Sequence, residues 1–252
     1  MKNKFIIITP AHNVQDWIGL NIEIIKHQSY KNFLHLIIND GSTDATKSTV
    51  QMLHHPHLIF TDTPEGRGGS QGDTYLYGIE FLEKHKLINE EDIIVEVDSD
   101  DWLSSTFVLE YLNQIYQDPN IWMTHGQYQI YPTSQTGGHY QQRILNEEYR
   151  FLPFPYSHLK TYKYWLLNKI DRKDLTNSET EKIFNAAWDH ALCLPMVEMA
   201  GKEHIFMCED ILYILNRSEE LKNEGKTRSG EQKYIEQLIR QKPKYDKIKI
   251  CK

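Results

Sequence analysis

Three carboxylates fall within four positions of the segment Val97-Asp98-Ser99-Asp100-Asp101-Trp102-Leu103, directly after an apolar run over 93–97. Like charges placed this close are costly unless a cation or a positive ligand neutralises them. Hard carboxylate oxygens suit Mg²⁺ or Mn²⁺, which keep positions open for water and phosphate oxygens. An ion held there would stabilise a departing diphosphate. The same residues also fit a solvated acidic turn in which Asp101 or Ser104 caps the next helix.

Other groups with chemical capacity are scattered along the chain. Asp40, in Asn39-Asp40-Gly41, could accept a hydrogen bond from a base N–H or close an Asx turn. The glycine-rich run from Gly66 to Gly72 permits close backbone approach to a ligand, and Arg67 within it could meet a phosphate bidentately. No G-K-[ST] ending follows, so the run is not a P-loop. Asp189 and His190 sit together in Ala-Ala-Trp-Asp-His-Ala-Leu on a predicted helix, and either could act as a general base; a helical carboxylate is more often plain surface. The 12 His residues show no metal-ligand spacing, and His54, His55 and His57 read as a surface turn. No nucleophile elbow G-x-S-x-G is present, which removes support for a serine hydrolase.

Bringing such residues together requires a scaffold, and the hydrophobic pattern supplies one. Apolar, β-branched runs at 5–9, 33–38, 58–60 and 93–97 read as buried strands. Between them lie helical patterns at 15–28, from a Ser42 or Thr43 cap to about 53, and along Tyr75, Leu76, Ile79 and Leu82. Alternating strands and helices imply a parallel sheet with right-handed crossovers. Ligands bind such sheets beyond the carboxyl ends of the strands. The loops at 9–11, 39–41, 66–72 and 98–101 should therefore converge on one rim.

Further along, Ser104 or Ser105 is expected to cap a helix burying Phe107, Val108, Tyr111, Leu112 and Ile115. Residues 121–172 mix strands and long loops. A helix over 178–200 is expected to break near Pro195, followed by a last strand over 207–215. No repeat or linker composition divides the chain.

The 252 residues fit one large α/β domain. A net charge of −7 argues against a general nucleic-acid binder. The 12 % aromatic content, with 15 Tyr, suits a cleft that stacks on rings or a large core. The three cysteines, Cys193, Cys208 and Cys251, lack metal spacing and read as reduced thiols of a cytoplasmic protein. No apolar run approaches the ~20 residues that cross a bilayer. The opening MKNKFIIITP is too short in its apolar part for a signal peptide and reads as a first strand. The basic ending KPKYDKIKICK, against an acidic body, could touch an anionic membrane surface peripherally or stay solvated.

Taken in order, Ile8-Thr9-Pro10-Ala11-His12-Asn13, then His-Gln-Ser-Tyr-Lys-Asn-Phe leading into Ile-Ile-Asn-Asp-Gly-Ser-Thr-Asp, then Val-Asp-Ser-Asp-Asp-Trp-Leu resemble the inverting family-2 glycosyltransferases of the GT-A fold. The resemblance is strong over residues 4–105 and weaker over 186–216. It implies a Rossmann-like, mostly parallel sheet flanked by helices, with a smaller acceptor-side region. Residues 1–105 would bind a nucleotide sugar, 106–216 would form the acceptor half, and 217–252 a charged tail, helical or partly mobile. Pro10, Ala11 and Asn13 match the loop holding the nucleoside. Asp40 matches the carboxylate that reads the base, usually uracil. Asp98 matches the first acid of the D-x-D motif, near ribose and metal, and Asp100 the metal-binding acid. Asp189 aligns with the catalytic base, although relatives more often show Glu-Asp where this chain has Trp188-Asp189. The glycine loop also departs, and Arg67 takes the expected phosphate contact.

These matches imply a Mn²⁺- or Mg²⁺-dependent inverting transfer from a nucleotide-diphosphate sugar, a UDP-sugar, to a hydroxyl on a glycan, a lipid-linked sugar or another acceptor. Two alternatives use similar parts. A nucleotidyltransferase would carry a basic glycine-rich loop directly after its first strand, where this chain has Thr-Pro-Ala-His-Asn. A catalytically silent sugar-nucleotide or glycan binder would differ only in lacking turnover.

Overall fold

A computed structural model describes residues 2–138, 148–151, 156–218 and 229–249. Its first half alternates strand and helix: β1 (Phe5–Ala11), α1 (Ile18–Lys26), β2 (Phe33–Asn39), α2 (Thr46–Met52), β3 (Leu58–Asp62), α3 (Gln71–Lys84) and β4 (Ile93–Glu96). β1 pairs in parallel with β2 and β4, and β2 with β3. Side chains alternate across a strand, so each face of β1 builds its own core. Ile6 and Ile8 pack with Leu76, Ile79 and Leu82 of α3, while Phe5 and Ile7 join Ile25 of α1 on the other face. Burial on both faces explains why these strands read as continuous apolar runs.

The second half comprises β5 (Trp102–Leu103), α4 (Val108–Ile115), β6 (Met123–Tyr131), β7 (Thr136–Gly137), β8 (Thr161–Lys163), α5 (Tyr164–Leu167), α6 (Trp188–Ala200), β9 (Ile205–Asn216) and α7 (Ser229–Gln241). Among the described residues the strands form one sheet in the order β3-β2-β1-β4-β8-β6-β9-β5, with β7 on β6. β8 is antiparallel to β4, pairing Val95 with Thr161. That reversal carries residue 160 to the end of β4, immediately before the acidic segment.

Several sequence expectations change here. Neither Ser42 nor Thr43 caps α2; the Asp44 carboxylate accepts from Thr46 N–H at 2.9 Å, and Ser42 is drawn off to accept from Asn13 N–H at 3.0 Å. Phe107 is 65 % exposed rather than buried, because α4 starts one residue later and turns it outward. The expected helix over 178–200 begins only at Trp188, and the chain before it folds back through a Thr176–Ile183 bridge. Pro195 lies inside α6 without breaking it; residues 191–200 are buried throughout, and packing holds the helix across the missing N–H. His54 is exposed and His57 sits in a turn, but His55 is buried between His35 and His57, so the cluster is a surface turn only in part. Burial lowers His35 to about 3 and His55 to about 4, keeping both neutral. Cys193 and Cys208 are free and buried, as structural thiols should be, whereas Cys251 lies outside the described residues.

The described part of the tail lies against the body. Arg150, 7 % exposed, meets Glu198 of α6 through Nε at 2.6 Å and Nη2 at 2.9 Å, and its Nη1 donates to Ile239 O of α7 at 2.7 Å. Tyr245 N–H donates to the same Glu198 at 3.0 Å, and Lys247 pairs with Glu203 at 2.6 Å. Removing one partner from a buried pair strands the other charge in a medium that solvates it poorly. Arg150→Met should therefore cost about 3–5 kcal/mol in urea unfolding. The double change Arg150→Met with Glu198→Leu should recover most of that loss; equal losses in both variants would show that the pairing is not what holds α7. No helix among the described residues is long and apolar enough to cross a membrane.

Candidate active site

The loops after β1, β2 and β4 and the start of α3 meet around a cleft of about 480 Å³, lined by Pro10, Ala11, Asn13, Asp40, Asp98 and Asp100 together with Gly69, Ser70 and Gln71. Hydrogen bonds across the loops fix this rim. Asp40 N–H donates to Ala11 O at 2.8 Å, and Asn13 Oδ1 accepts from Thr43 N–H at 2.8 Å. The Asp40 carboxylate accepts from Gly69 N–H at 2.8 Å and from the Thr63 hydroxyl at 3.1 Å, tying the glycine loop to β2. Gly68 has φ of +92°, and a Cβ there would lie 1.7 Å from Asp40 Oδ1. Gly68→Ala should thus both strain the backbone and push Asp40 aside. It is expected to weaken binding of a ligand in this cleft by about tenfold or more, on a strain of roughly 1–3 kcal/mol; unchanged affinity by calorimetry would disconnect the loop from the ligand.

Asp98 stands at the exit of β4, its Oδ1 accepting from Gln71 Nε2 at 2.7 Å. Burial, followed by the charge of Asp100, pushes its carboxyl up to about 7, with Asp189 and Glu96 adding to the effect. Those four carboxylates face a single ammonium, Lys160. When all are ionised the group carries three surplus negative charges. The donor set is hard oxygen in an electron-rich, desolvated place, which fits a divalent cation such as Mn²⁺ or Mg²⁺. Of the three carboxylates in this segment, only Asp98 and Asp100 line the cleft, beside Ser99, and no group of three or more His, Cys, Asp or Glu suited to a metal occurs among the described residues.

Asp101 behaves differently and caps no helix. It is 2 % exposed, accepts from Asn216 N–H at 2.6 Å and takes a hydrogen bond from the Tyr213 hydroxyl. Asn21 Nδ2 donates to the backbone oxygens of Asp98 and Asp101 at 3.1 and 2.9 Å. The turn is therefore pinned by α1 and β9, which leaves Asp98 and Asp100 facing the cleft.

Arg67 does not line this cleft. Its guanidinium is committed to Asp73 at 2.9 Å and Glu80 at 2.8 Å on α3 and lies over the Tyr77 ring. With two carboxylates already in hand, it is not poised for the phosphate contact expected from its glycine-rich surroundings. Ser70 and Gln71 of the glycine-rich run, Thr74 in the first turn of α3 and His12 of the first-strand loop line the cleft instead.

Asp189 lies in the first turn of α6, with its side chain 43 % exposed and its Oδ1 held by Lys160 Nζ. Burial, the largest influence, raises its carboxyl, but Lys160 together with the neighbouring His158 and His190 leaves it below the ordinary carboxylate range. His190 pairs with Glu236 of α7 at 3.2 Å. Trp188, in the position where relatives more often carry Glu, packs on Tyr75 with ring centroids 5.8 Å apart and lies over Gly72, where a Cβ would approach to 2.5 Å. The departure from the family pattern thus serves packing between α3 and α6. It leaves Asp189 in place.

The chain is similar to known proteins. The family model for glycosyl transferase family 2 covers residues 6–176. The chain belongs to glycosyl transferase family 2. An uncharacterized glycosyltransferase of Haemophilus influenzae is 29 % identical over 126 residues, covering 48 % of this chain and 46 % of that protein. The chain spans less than half the length of the curated relatives it matches. Among solved structures, TarS 1-349 of S. aureus in complex with UDP-GlcNAc superposes with a TM-score of 0.62 at 17 % identity, covering 86 % of this chain and 59 % of TarS. Glucosyl-3-phosphoglycerate synthase of Mycobacterium tuberculosis, in complex with Mn²⁺, UDP and glucosyl-3-phosphoglycerate, gives 0.61 at 15 % identity, covering 94 % and 80 %. These likenesses bear on the fold, which is the mostly parallel, helix-flanked GT-A sheet expected from the motifs.

Proposed function

We propose that this family-2 protein transfers a sugar from a nucleotide-diphosphate donor, a UDP-sugar, to an acceptor hydroxyl with inversion at the anomeric carbon. The observation that carries the reading is the Asp98–Asp100 pair, facing the same cleft as Asn13 and Asp40 and desolvated enough to hold Asp98 at about 7. Pro10, Ala11 and Asn13 cradle the nucleoside. Asp40 faces the base; each carboxylate oxygen accepts more than one donor, so an imide N–H can join Gly69 and Thr63 there. Asp98 and Asp100 would hold Mn²⁺ or Mg²⁺, which when bound supplies Lewis-acid stabilisation of the diphosphate leaving group.

Asp189 accepts the proton of the acceptor hydroxyl as its oxygen attacks the anomeric carbon from the face opposite the diphosphate. The geometric logic is that of inverting glycoside hydrolysis, with an acceptor in place of water. The acceptor is a glycan, a lipid-linked sugar or another hydroxyl compound. With Lys247 held by Glu203, the described tail offers fewer free cations for a membrane surface than its composition implies. Incubation with UDP-, GDP- and dTDP-sugars, with and without Mn²⁺, should give diphosphate nucleotide release with a UDP-sugar only when metal is present. Pyrophosphate release from a nucleoside triphosphate and sugar phosphate would favour nucleotidyl transfer. Binding without turnover across donors and acceptors would favour a silent binder.

A further inference from the structure

A buried charged chain runs behind the cleft, and apart from Asp189 none of its members was singled out by motif. Lys160, 2 % exposed, places Nζ on Asp189 Oδ1 and 3.3 Å from Glu96 Oε2. Glu96 Oε1 accepts from the Tyr162 hydroxyl at 2.6 Å, and Tyr162 meets the Tyr75 hydroxyl at 2.5 Å. Four elements and the residue entering one of them contribute: α3, β4, β8 with Lys160 just before it, and α6. A fully buried ammonium is expensive unless paired, and this one is paired twice. Glu96 N–H also donates to Lys160 O at 3.2 Å, so backbone and side chain of residue 160 are both registered on β4.

We infer that Lys160 is a positioning residue for Asp189, fixing one carboxylate oxygen so that the other is presented, ionised, to the acceptor hydroxyl. The inference rests on the reading of Asp189 as base and deepens it. Lys160 is not among the residues lining the cleft; it acts through Asp189. The side chain of Asp189 is 43 % exposed while that of Lys160 is 2 % exposed, so the carboxylate bridges the sealed interior and the open side. Glu96 and Tyr162 hold Lys160 from behind, which restrains the ammonium from rotating away. The groups facing Asp189 are Lys160 and His158 before β8, Glu96 and Asp98 at the end of β4, and His190 and Cys193 on α6. Burial drops His158 to about 3, so it is neutral and Lys160 is the cation that keeps Asp189 ionised.

The test compares Lys160→Met, Lys160→Arg and Asp189→Asn in the full chain, with calorimetric UDP binding in Mn²⁺ and thermal melting as controls. Lys160→Met should lower kcat by about 10²-fold, the low end of a general base's contribution, with donor KM unchanged. Its acid limb in kcat should move to higher pH, because burial then dominates at Asp189. Lys160→Arg should restore part of kcat and return the limb toward its original position. Carbon-13 titration of the Asp189 carboxyl, which needs no turnover, should show the same upward move in Lys160→Met. Unchanged titration in that variant, or kcat within threefold of the parent while Asp189→Asn is inactive, overturns the role of Lys160 and leaves the base reading standing. Full turnover in Asp189→Asn overturns both. If Lys160→Met does not fold, Tyr162→Phe supplies the comparison: it should shift the same titration more weakly, and no shift overturns the proposal.

Discussion

Asp100→Asn is expected to abolish metal-dependent nucleotide release almost completely, lowering kcat by roughly 10³-fold if about 4 kcal/mol of leaving-group stabilisation is lost at ~1.4 kcal/mol per tenfold. Asn keeps the size and one oxygen but removes the charge that a divalent cation needs. Asp100 lines the cleft beside Asp98, where repulsion between the two is already strong enough to help hold Asp98 at about 7. Removing one charge relieves that repulsion, so the variant should fold at least as stably as the parent in the absence of metal. A thermal melt with and without Mn²⁺ checks both halves: the parent should gain stability with the ion, as any ligand of the native state provides, and the variant should not. Undiminished turnover with undiminished Mn²⁺ dependence would falsify the assignment of Asp100. Asp101→Asn makes an instructive contrast. Its carboxylate is turned inward on Asn216 and Tyr213, so it should lose stability rather than metal response.

Asp189→Asn comes next in size. A positioned general base is worth about 10²–10⁴-fold, and an amide cannot take a proton from the acceptor. Donor binding should survive, since Asp189 is not among the residues lining the nucleotide cleft. The expected pattern is therefore a collapse of kcat at nearly constant donor KM, measured with a donor and acceptor pair once one is found. Some stability should go with it, because Lys160 would keep only Glu96 as a charged partner. Equal loss of kcat and donor affinity would instead indicate that α6 has shifted as a whole.

Much of the donor side was legible in the chain because it depends on local chemistry. Continuous β-branched runs can only be strands buried on both faces, and four such runs separated by helical spacing imply a parallel sheet. Asn13, Asp40, Asp98 and Asp100 then had to reach one rim, because each follows the carboxyl end of a strand or the loop beyond it. Their shared cleft is that consequence. Asp189 was visible for a weaker reason, an acid near the start of a helix in a segment resembling relatives.

Other features depended on distance in the chain. Arg67 sits among glycines that suggest a phosphate, yet Asp73 and Glu80 on α3 recruit it. Nothing local could decide between those partners. The two aspartates that look alike in sequence, Asp100 and Asp101, were separated by Asn216 and Tyr213, over a hundred residues away. Lys160 gave no signal at all, lying in a stretch without recognisable motif. Its environment exists only because β8 runs antiparallel to β4 and α6 packs across them. The acidic segment at the end of the fourth strand was thus announced by the sequence as a place of repelling charges. Which carboxylates face the cleft, and which cation sits behind them, was decided by tertiary packing, since burial and partner choice at these groups are set by elements the local sequence does not contain.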